Sequence, residues 1–310
     1  MNYIIETKQL TKTYKQEYAA NEVNLQIPKG SIYGFLGPNG AGKTTTIRML
    51  LGLIKPTSGQ VYMFGKPLKN HRLEILSKVG SLVENPSYYG HLNAVENLEI
   101  YRILLQAPKN RIQEVLDVVG LSSASNKKVK QYSLGMKQRL GIAIALLGDP
   151  ELLILDEPTN GLDPEGIQEI RTLIQRLAEE RGITILVSSH LLSEIDQMAD
   201  YVGIISNGSL IFQDKIDILR RKAQPRIRFQ VDKKDAAWNV MLAGGYTSDI
   251  QDESIIIFNV DNEIIASVIE KLVSHNISIY RVEEVTTSLE DIFLQVVKEG
   301  DQHVSSSVKG

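Results

Sequence analysis

Cysteine is absent from this 310-residue sequence. A disulfide framework and a thiolate metal site are therefore excluded, and the composition suits a reducing compartment. An excess of one charge is also missing, because 34 Lys and Arg residues oppose 37 Asp and Glu residues, for a net charge of −3. This balance suggests neither nucleic acid nor an anionic surface as a partner.

Long apolar runs are missing as well. No stretch approaches the roughly 18–20 apolar residues that a membrane-spanning helix needs. The opening segment MNYIIETKQLTKTYK lacks the basic segment and long apolar run of a signal peptide. We therefore expect that the protein is not embedded in a membrane and that any membrane role comes through a partner.

Up to about residue 220, short β-rich runs alternate with amphipathic segments, which predicts an α/β domain over residues 1–220. The clearest strands are Ile32–Leu36, Leu152–Leu155 and Thr184–Val187, and the last two are apolar throughout, as in a largely parallel sheet. Apolar residues at helical spacing predict a crossover helix over Pro164–Arg181. Residues 93–149 appear mostly helical, which predicts a helical insertion at about 88–149.

The composition changes after Ile218, where LRRKAQPRIR predicts a basic linker that contains Pro225. The following runs predict a β-α-β-α-β order, with a helix over Ile264–Val273, and hence a small C-terminal α+β domain over residues 226–297. The polar tail at 298–310 is expected to be flexible.

A glycine-rich loop, GPNGAGKTT (residues 37–45), follows directly on the first strand. It matches G-x-x-x-x-G-K-[ST] in the strand–loop–helix context that this motif requires. Glycines let backbone N–H groups turn inward around phosphate oxygens at the positive end of the next helix. Lys43 is expected to reach the outer phosphates and the Thr44 hydroxyl to ligate Mg²⁺. The predicted phosphate-binding residues are Gly37, Pro38, Asn39, Gly40, Ala41, Gly42, Lys43, Thr44 and Thr45.

A second motif, LLILDEP (152–158), ends an apolar strand with two acids. Asp156 is expected near the metal, and Glu157 can orient or deprotonate an attacking water. Two such acids alone could equally form a solvated turn, but beside a phosphate loop they predict nucleotide hydrolysis. A GTPase is less favoured, because the guanine-selecting Asn-Lys-x-Asp is absent and the nearest candidate, Asn126-Lys127-Lys128, continues with Val129.

Between the two motifs, YSLGMKQRLGIA (132–143) resembles the signature of the ATP-binding cassette family, Leu-Ser-Gly-Gly-Gln followed by a basic segment. Ser133 and Gly135 match that signature, whereas Leu134 and Met136 depart from it. The order of the motifs fits the family over residues 4–218. The resemblance implies an α/β P-loop NTPase fold with a helical insertion, and ATP and Mg²⁺ as cofactors.

The resemblance also implies roles for three residues that are weak signals individually. Tyr14 stands where the family stacks an aromatic ring on adenine, although a lone tyrosine is more often surface packing. Asp163 belongs to a loop that crosses the dimer in the family. His190 matches the switch histidine that contacts the γ-phosphate, although a lone histidine at a strand end is more often structural.

The family mechanism implies a homodimer in which two cassettes associate head to tail. Each ATP lies between the phosphate loop of one copy and the segment containing Ser133 and Gly135 of the other. The charge of the triphosphate is then shared by Lys43, Mg²⁺, backbone amides and the partner's helix N-terminus. ATP is thus expected to hold the dimer together, and hydrolysis to release it.

Glu84 follows a short strand within SLVENPSYY (81–89). Its local context indicates only a strand end and an Asn-Pro turn. The resemblance instead places Glu84 where most family members carry a glutamine that touches Mg²⁺ and the attacking water, in a loop that faces the membrane partner. Glu84 is therefore predicted as both a catalytic residue and a metal ligand.

Glu84 with Asn-Pro-Ser-x-Tyr, together with Ser-Leu-Gly-Met-Lys-Gln-Arg-Leu, resembles the ATP-binding subunits of bacitracin-resistance and lantibiotic-immunity exporters. The C-terminal stretch at 288–293 also recurs in cassettes of this kind. The implied function is an ATPase subunit that powers export of a peptide antibiotic through separate membrane subunits, at the cytoplasmic face of the membrane. Another exported substrate (lipid, polysaccharide or ion-linked) stays open.

A soluble cassette protein that acts on ribosomes or DNA is less favoured. The chain has one cassette, whereas ribosome-acting members usually carry two. Only about 110 residues separate Lys43 from Asp156, which leaves no room for the long coiled coils of repair and chromosome-structuring members.

Overall fold

The computed structural model describes residues 2–83, 88–223, 226–251, 254–258, 261–285, 288–294 and 296–298. Glu84, Pro225 and the tail from residue 299 onward lie outside these residues, and so do the sequence predictions made for them. Two compact units divide the chain: the first runs up to Ile216, and the second runs from Asp217 to Leu294.

Strands and helices alternate through most of the first unit. Its described strands are β1 (Tyr3–Tyr14), β2 (Glu17–Val23), β3 (Gln26–Pro28), β4 (Ile32–Leu36), β5 (Ser58–Met63), β6 (Lys66–Pro67), β7 (Val79–Leu82), β8 (Leu152–Asp156), β9 (Thr184–Ser189), β10 (Tyr201–Ser206) and β11 (Ser209–Lys215). Its described helices are α1 (Lys43–Leu50), α2 (Leu68–Leu76), α3 (Ala94–Leu105), α4 (Asn110–Val118), α5 (Leu134–Leu146), α6 (Pro164–Arg181) and α7 (Leu192–Asp196), and α8 (Ile216–Lys222) begins at the boundary.

A six-stranded sheet in the order β11-β10-β4-β9-β8-β7 forms the centre of this unit. Its strands are parallel except β11, which pairs antiparallel with β10. Every residue of β4, β8 and β9 is buried, as expected for strands covered on both faces. Because parallel strands end at the same edge of a sheet, the segments that follow these three strands meet there. The predicted α/β fold is confirmed.

A separate antiparallel sheet, which the sequence analysis did not predict, lies in the first 67 residues. Its order is β2-β1-β5-β6, and β3 also pairs with β1. Apolar residues of this sheet, such as Ile5 and Leu10, share one buried core with Ile47 and Leu50 of α1. The helix that follows the glycine-rich loop is therefore held by a packed apolar face.

The stretch at 93–149 is mostly helical, as predicted, and contains α3, α4 and α5. Asn93 and Glu96 form a capping box at the start of α3: the Asn93 side chain accepts from the Glu96 N–H, and the Glu96 carboxylate accepts from the Asn93 N–H. Within the described residues, no helix has both the length and the apolar character needed to cross a bilayer.

The second unit contains a four-stranded antiparallel sheet in the order β13-β14-β12-β15. Its described elements are β12 (Arg226–Val231), α9 (Lys234–Ala243), β13 (Ser248–Gln251), β14 (Ser254–Phe258), α10 (Asn262–Ser274) and β15 (Ile279–Val285). Residues of α9 and α10 share an apolar core with β12 and β14. This unit has one strand more than the predicted β-α-β-α-β order, because β13 is short and polar and lacks the apolar alternation of its neighbours.

The predicted linker after Ile218 needs a correction at its start. Helix α8 continues through Lys222, so this part of the segment is helical and not an extended linker. Leucine and the basic residues of LRRK have favourable helix propensity, and this local preference extends the helix into the charge run.

Candidate active site

The loop between β4 and α1 has a shape that only glycine permits at two points. A Cβ atom at Gly37 would lie 2.3 Å from the carbonyl oxygen of Ile205, and one at Gly42 would lie 2.2 Å from that of Ala19. Gly42 also has a φ of 106° and stands at the N-cap of α1, where no side chain caps the first turn. N–H groups at such a helix start are suited to bind an anion.

Lys43 is buried, with 5% of its surface exposed, and folds back over its own loop. Its ammonium group donates to the carbonyl oxygens of Gly37 (2.6 Å) and Pro38 (3.2 Å). The same nitrogen lies 3.1 Å from Oε1 of Glu157. The structure therefore brings together a predicted phosphate-binding cation and the predicted catalytic acid. An incoming phosphate would compete with Glu157 for Lys43.

Ser188, near the end of β9, connects the two predicted acids. Its hydroxyl donates to Oδ1 of Asp156 (2.6 Å) and accepts from the N–H of Glu157 (2.9 Å). Asp156 is buried, and Glu157 has a φ of 51°, a value that few residues other than glycine adopt. The sequence analysis missed Ser188. Two adjacent serines that end an otherwise apolar strand were the available signal.

His190 follows β9 directly and lies against the catalytic acid. Its Nδ1 is 2.8 Å from Oε2 of Glu157, the oxygen that does not contact Lys43. The Glu157 carboxylate thus bridges Lys43 and His190. Three residues that the sequence analysis singled out from three separate segments form one connected group.

Glu194 on α7 is a second residue that the sequence analysis missed. It is buried, and its Oε2 accepts hydrogen bonds from the hydroxyls of Thr159 (2.7 Å) and Ser189 (2.8 Å). The Ser189 hydroxyl in turn accepts from the N–H of Leu191 (3.0 Å). Thr159 lies two residues after Glu157, and Ser189 lies immediately before His190. The Glu194 carboxylate therefore connects, by hydrogen bonds, the two segments that contain Glu157 and His190.

The other predicted site residues lie elsewhere in the unit. Tyr14 ends β1 with half of its surface exposed, and the Lys12 ammonium lies 5.1 Å from its ring centroid. Ser133 is the exposed N-cap of α5 and accepts from the N–H of Met136 (3.2 Å). Asp163 is the N-cap of α6.

A Cβ atom at Gly135 would stand 3.9 Å from Leu162, in the segment just before Asp163. Within the residues that the structure describes, no hydrogen bond or ion pair joins Ser133 or Asp163 to the Lys43–Glu157–His190 group.

The predicted Mg²⁺ ligands fit a metal that is bound together with phosphate. Across the described residues there is no group of three or more histidine and acidic side chains that could hold a metal. Asp156 is buried at the end of β8, Thr44 lies half-buried in the first turn of α1, and α1 contacts β8. One carboxylate and one hydroxyl suit Mg²⁺, which usually takes few protein ligands and adds substrate phosphates. Glu84, the third predicted ligand, lies outside the described residues.

Known proteins resemble this chain in both sequence and structure. Residues 20–160 match the ABC transporter family. The chain is 47% identical to "Bacitracin transport ATP-binding protein BcrA" of Bacillus licheniformis, over 97% of this chain and 99% of that protein. It is 44% identical to "Lantibiotic transport ATP-binding protein SrtF" of Streptococcus pyogenes, over 69% of this chain and 92% of that protein.

Solved structures also resemble this chain. The dimeric post-hydrolysis state of the ATP-binding cassette MJ0796 bound to ADP and Pi matches with a TM-score of 0.62 and 29% identity, over 68% of this chain and 98% of that chain. CbiO1 of Clostridium perfringens, part of the transporter complex CbiONQ, matches with a TM-score of 0.65 and 26% identity, over 78% and 96%. With the glycine-rich loop and the two acids in place, these matches show that the chain belongs to the ABC transporter family and is an ATP-binding ATPase subunit of it.

Proposed function

We propose that this chain powers the export of a peptide antibiotic of the bacitracin or lantibiotic type through separate membrane subunits. The observation that carries the proposal is its 47% identity to a bacitracin transport ATP-binding protein over nearly the whole of both chains. That match includes the second unit and is not confined to the nucleotide-binding region.

The proposed site binds ATP through the glycine-rich loop, Lys43 and Tyr14. The first-turn N–H groups of α1 and Lys43 bind the phosphates, and the exposed ring of Tyr14 stacks on adenine. Because the Lys43 ammonium is paired with the Glu157 carboxylate, phosphate binding would exchange that carboxylate for the phosphates of the nucleotide. Glu157 is then free to accept a hydrogen bond from water. ATP binding therefore also prepares the base.

The proposed hydrolysis uses Glu157 to take a proton from the attacking water and His190 to contact the γ-phosphate. Thr44, Asp156 and Glu84 would hold Mg²⁺, which would supply positive charge to offset the charge of the triphosphate. Ser133 and Gly135 come from a second copy of the chain, and Asp163 lies on the segment that crosses to that copy. This assignment fits the finding that, among the described residues, no hydrogen bond or ion pair joins Ser133 or Asp163 to Lys43, Glu157 or His190.

We propose two kinds of partner: a second copy of the chain, which forms a homodimer, and integral membrane permease subunits. Nucleic acid is not a proposed partner. Attachment to the permease holds the protein at the cytoplasmic face of the membrane. The loop that contains Glu84 is the proposed link between the nucleotide and the permease.

A susceptibility panel tests the proposal. Cells that lack the transporter receive it with either the wild-type chain or the Glu157→Gln variant, and growth is measured against bacitracin, a lantibiotic and an unrelated antibiotic. We expect protection against one of the peptide antibiotics with the wild type alone. If the chain hydrolyses ATP but protects against neither peptide, the proposed substrate class is wrong and the ATPase assignment stands.

A further inference from the structure

Strand β15 lies at an edge of the sheet in the second unit. Among the described strands it pairs with β12 alone, so no described strand lies on its other side. Tyr280 is 72% exposed and Val282 is 37% exposed. An exposed edge strand with apolar side chains is a template for pairing with another strand.

A groove with a mixed polar and apolar lining, which includes Asn276 and Ser278, runs beside this edge between α10 and β15. Its volume is about 620 Å³, and its lining includes Ile269, Val273, Ile277 and Val282. Val273 is 60% exposed. A strand that pairs with β15 could be accompanied by a helix that covers this groove.

The charges on β15, where Arg281 also lies 3.8 Å from Glu283 of its own chain, favour one of three registers in which two copies could pair. Arg281 and Glu283 lie on one face of the sheet, opposite Gln230 and Arg228 of β12, while Val282 lies on the other face, opposite the buried Phe229. Two antiparallel copies of β15 that pair about Val282 place each Arg281 opposite the Glu283 of the other copy. Pairing about Arg281 would oppose two arginines, and pairing about Glu283 would oppose two glutamates. Like charges directly opposite each other are unfavourable in a sheet.

We propose that a second copy of this chain pairs with β15, antiparallel and centred on Val282, so that two second units form one continuous sheet. Each Glu283, which lies 3.2 Å from Arg228 of its own chain, then also faces an arginine of the other copy. This contact needs no nucleotide and is separate from the ATP-dependent association of the cassettes.

Charged residues on an edge strand can instead protect it from pairing. The two interpretations differ in a measurable distance. In the proposed register, the two Val282 residues lie directly opposite each other, with Cα atoms about 4.5–5.5 Å apart, which is within disulfide range. Two Glu284 residues are offset by four positions and lie about 14 Å apart. If the charges instead protect the edge from pairing, the rate of disulfide linkage should not differ between these two positions.

Single cysteines test the register in the full-length, nucleotide-free protein, which has no cysteine of its own. Val282→Cys and the matched control Glu284→Cys are oxidised under the same mild conditions, and linked dimers are measured on non-reducing gels. We expect linkage at least roughly fivefold faster for Val282→Cys. Equal rates, or no linkage in either variant while thermal melting shows that both are folded, would overturn the proposal.

Sedimentation of the cysteine-free chain provides a second test. Without nucleotide, the wild type should form a concentration-dependent dimer. Arg281→Glu should raise its Kd roughly tenfold, because two opposite-charge contacts become like-charge contacts. Lys127→Glu, the same charge change at an exposed site in the first unit, should leave the Kd unchanged. A monomeric wild type, or equal effects of the two variants, would reject the proposed contact without affecting the ATP-dependent dimer, which is measured separately with ATP.

Discussion

Glu157→Gln is expected to change ATP affinity and turnover in opposite directions. In the structure the Glu157 carboxylate lies 3.1 Å from the Lys43 ammonium, and only 6% of the Lys43 side chain and 20% of the Glu157 side chain are exposed. A hydrogen bond to a charged group contributes about 1.5–3 kcal/mol net. ATP must displace this contact before Lys43 can bind phosphate.

Glutamine retains a weaker, neutral contact, so we take the lower end of that range, about 1.5 kcal/mol, which corresponds to about tenfold tighter ATP binding. Removing a carboxylate near the triphosphate acts in the same direction. Turnover should fall by roughly 10²–10⁴-fold, because the amide cannot take a proton from water. The variant is then expected to accumulate as an ATP-bound dimer.

Calorimetry with ATP in the absence of metal measures the affinity, and phosphate release with Mg²⁺ measures the turnover. Glu179→Gln is the matched control, since it removes one negative charge from an exposed position near the far end of α6, away from Asp163. An unchanged ATP Kd in Glu157→Gln would show that the carboxylate does not restrain Lys43. Near-normal phosphate release would remove Glu157 from the role of base.

Three further substitutions test the remaining parts of the site. Tyr14→Ala should weaken ATP binding about fivefold, because about 1 kcal/mol of stacking is lost. Tyr18→Ala, the control at a comparably exposed tyrosine, should leave ATP binding unchanged. Equal ATP titration curves for the two variants would reject the stacking role. His190→Ala should lower kcat more than ATP affinity, because the imidazole lies beside Glu157, and steady-state kinetics with nucleotide titration separate the two effects. Glu194→Ala should lower kcat roughly tenfold, because the hydroxyls of Thr159 and Ser189 lose their acceptor. Glu194→Gln keeps an acceptor oxygen and should therefore recover most of the kcat. A change in melting temperature with a normal kcat would show that Glu194 has only a structural role.

The sequence was most informative where a motif needs particular residue types at fixed spacing. The glycine-rich loop and the acid pair are both defined by residue types at fixed spacing along the chain. In the structure the loop follows β4 and the acid pair begins at the end of β8, in one parallel sheet. The second unit was less predictable. Its strand β13 has only four residues, and it is defined by its pairing with β14 and not by an apolar pattern of its own.

The sequence by itself determined which residues are available for the chemistry and in which order they follow the strands, because spacing and periodicity are local properties. Only the tertiary structure decided that Glu157 bridges Lys43 and His190, and that Ser188 and Glu194 hold the segments around it. These contacts join segments far apart in the chain. They arise because parallel strands from separate crossover units end at one edge of the sheet, and no local pattern records which side chains meet there.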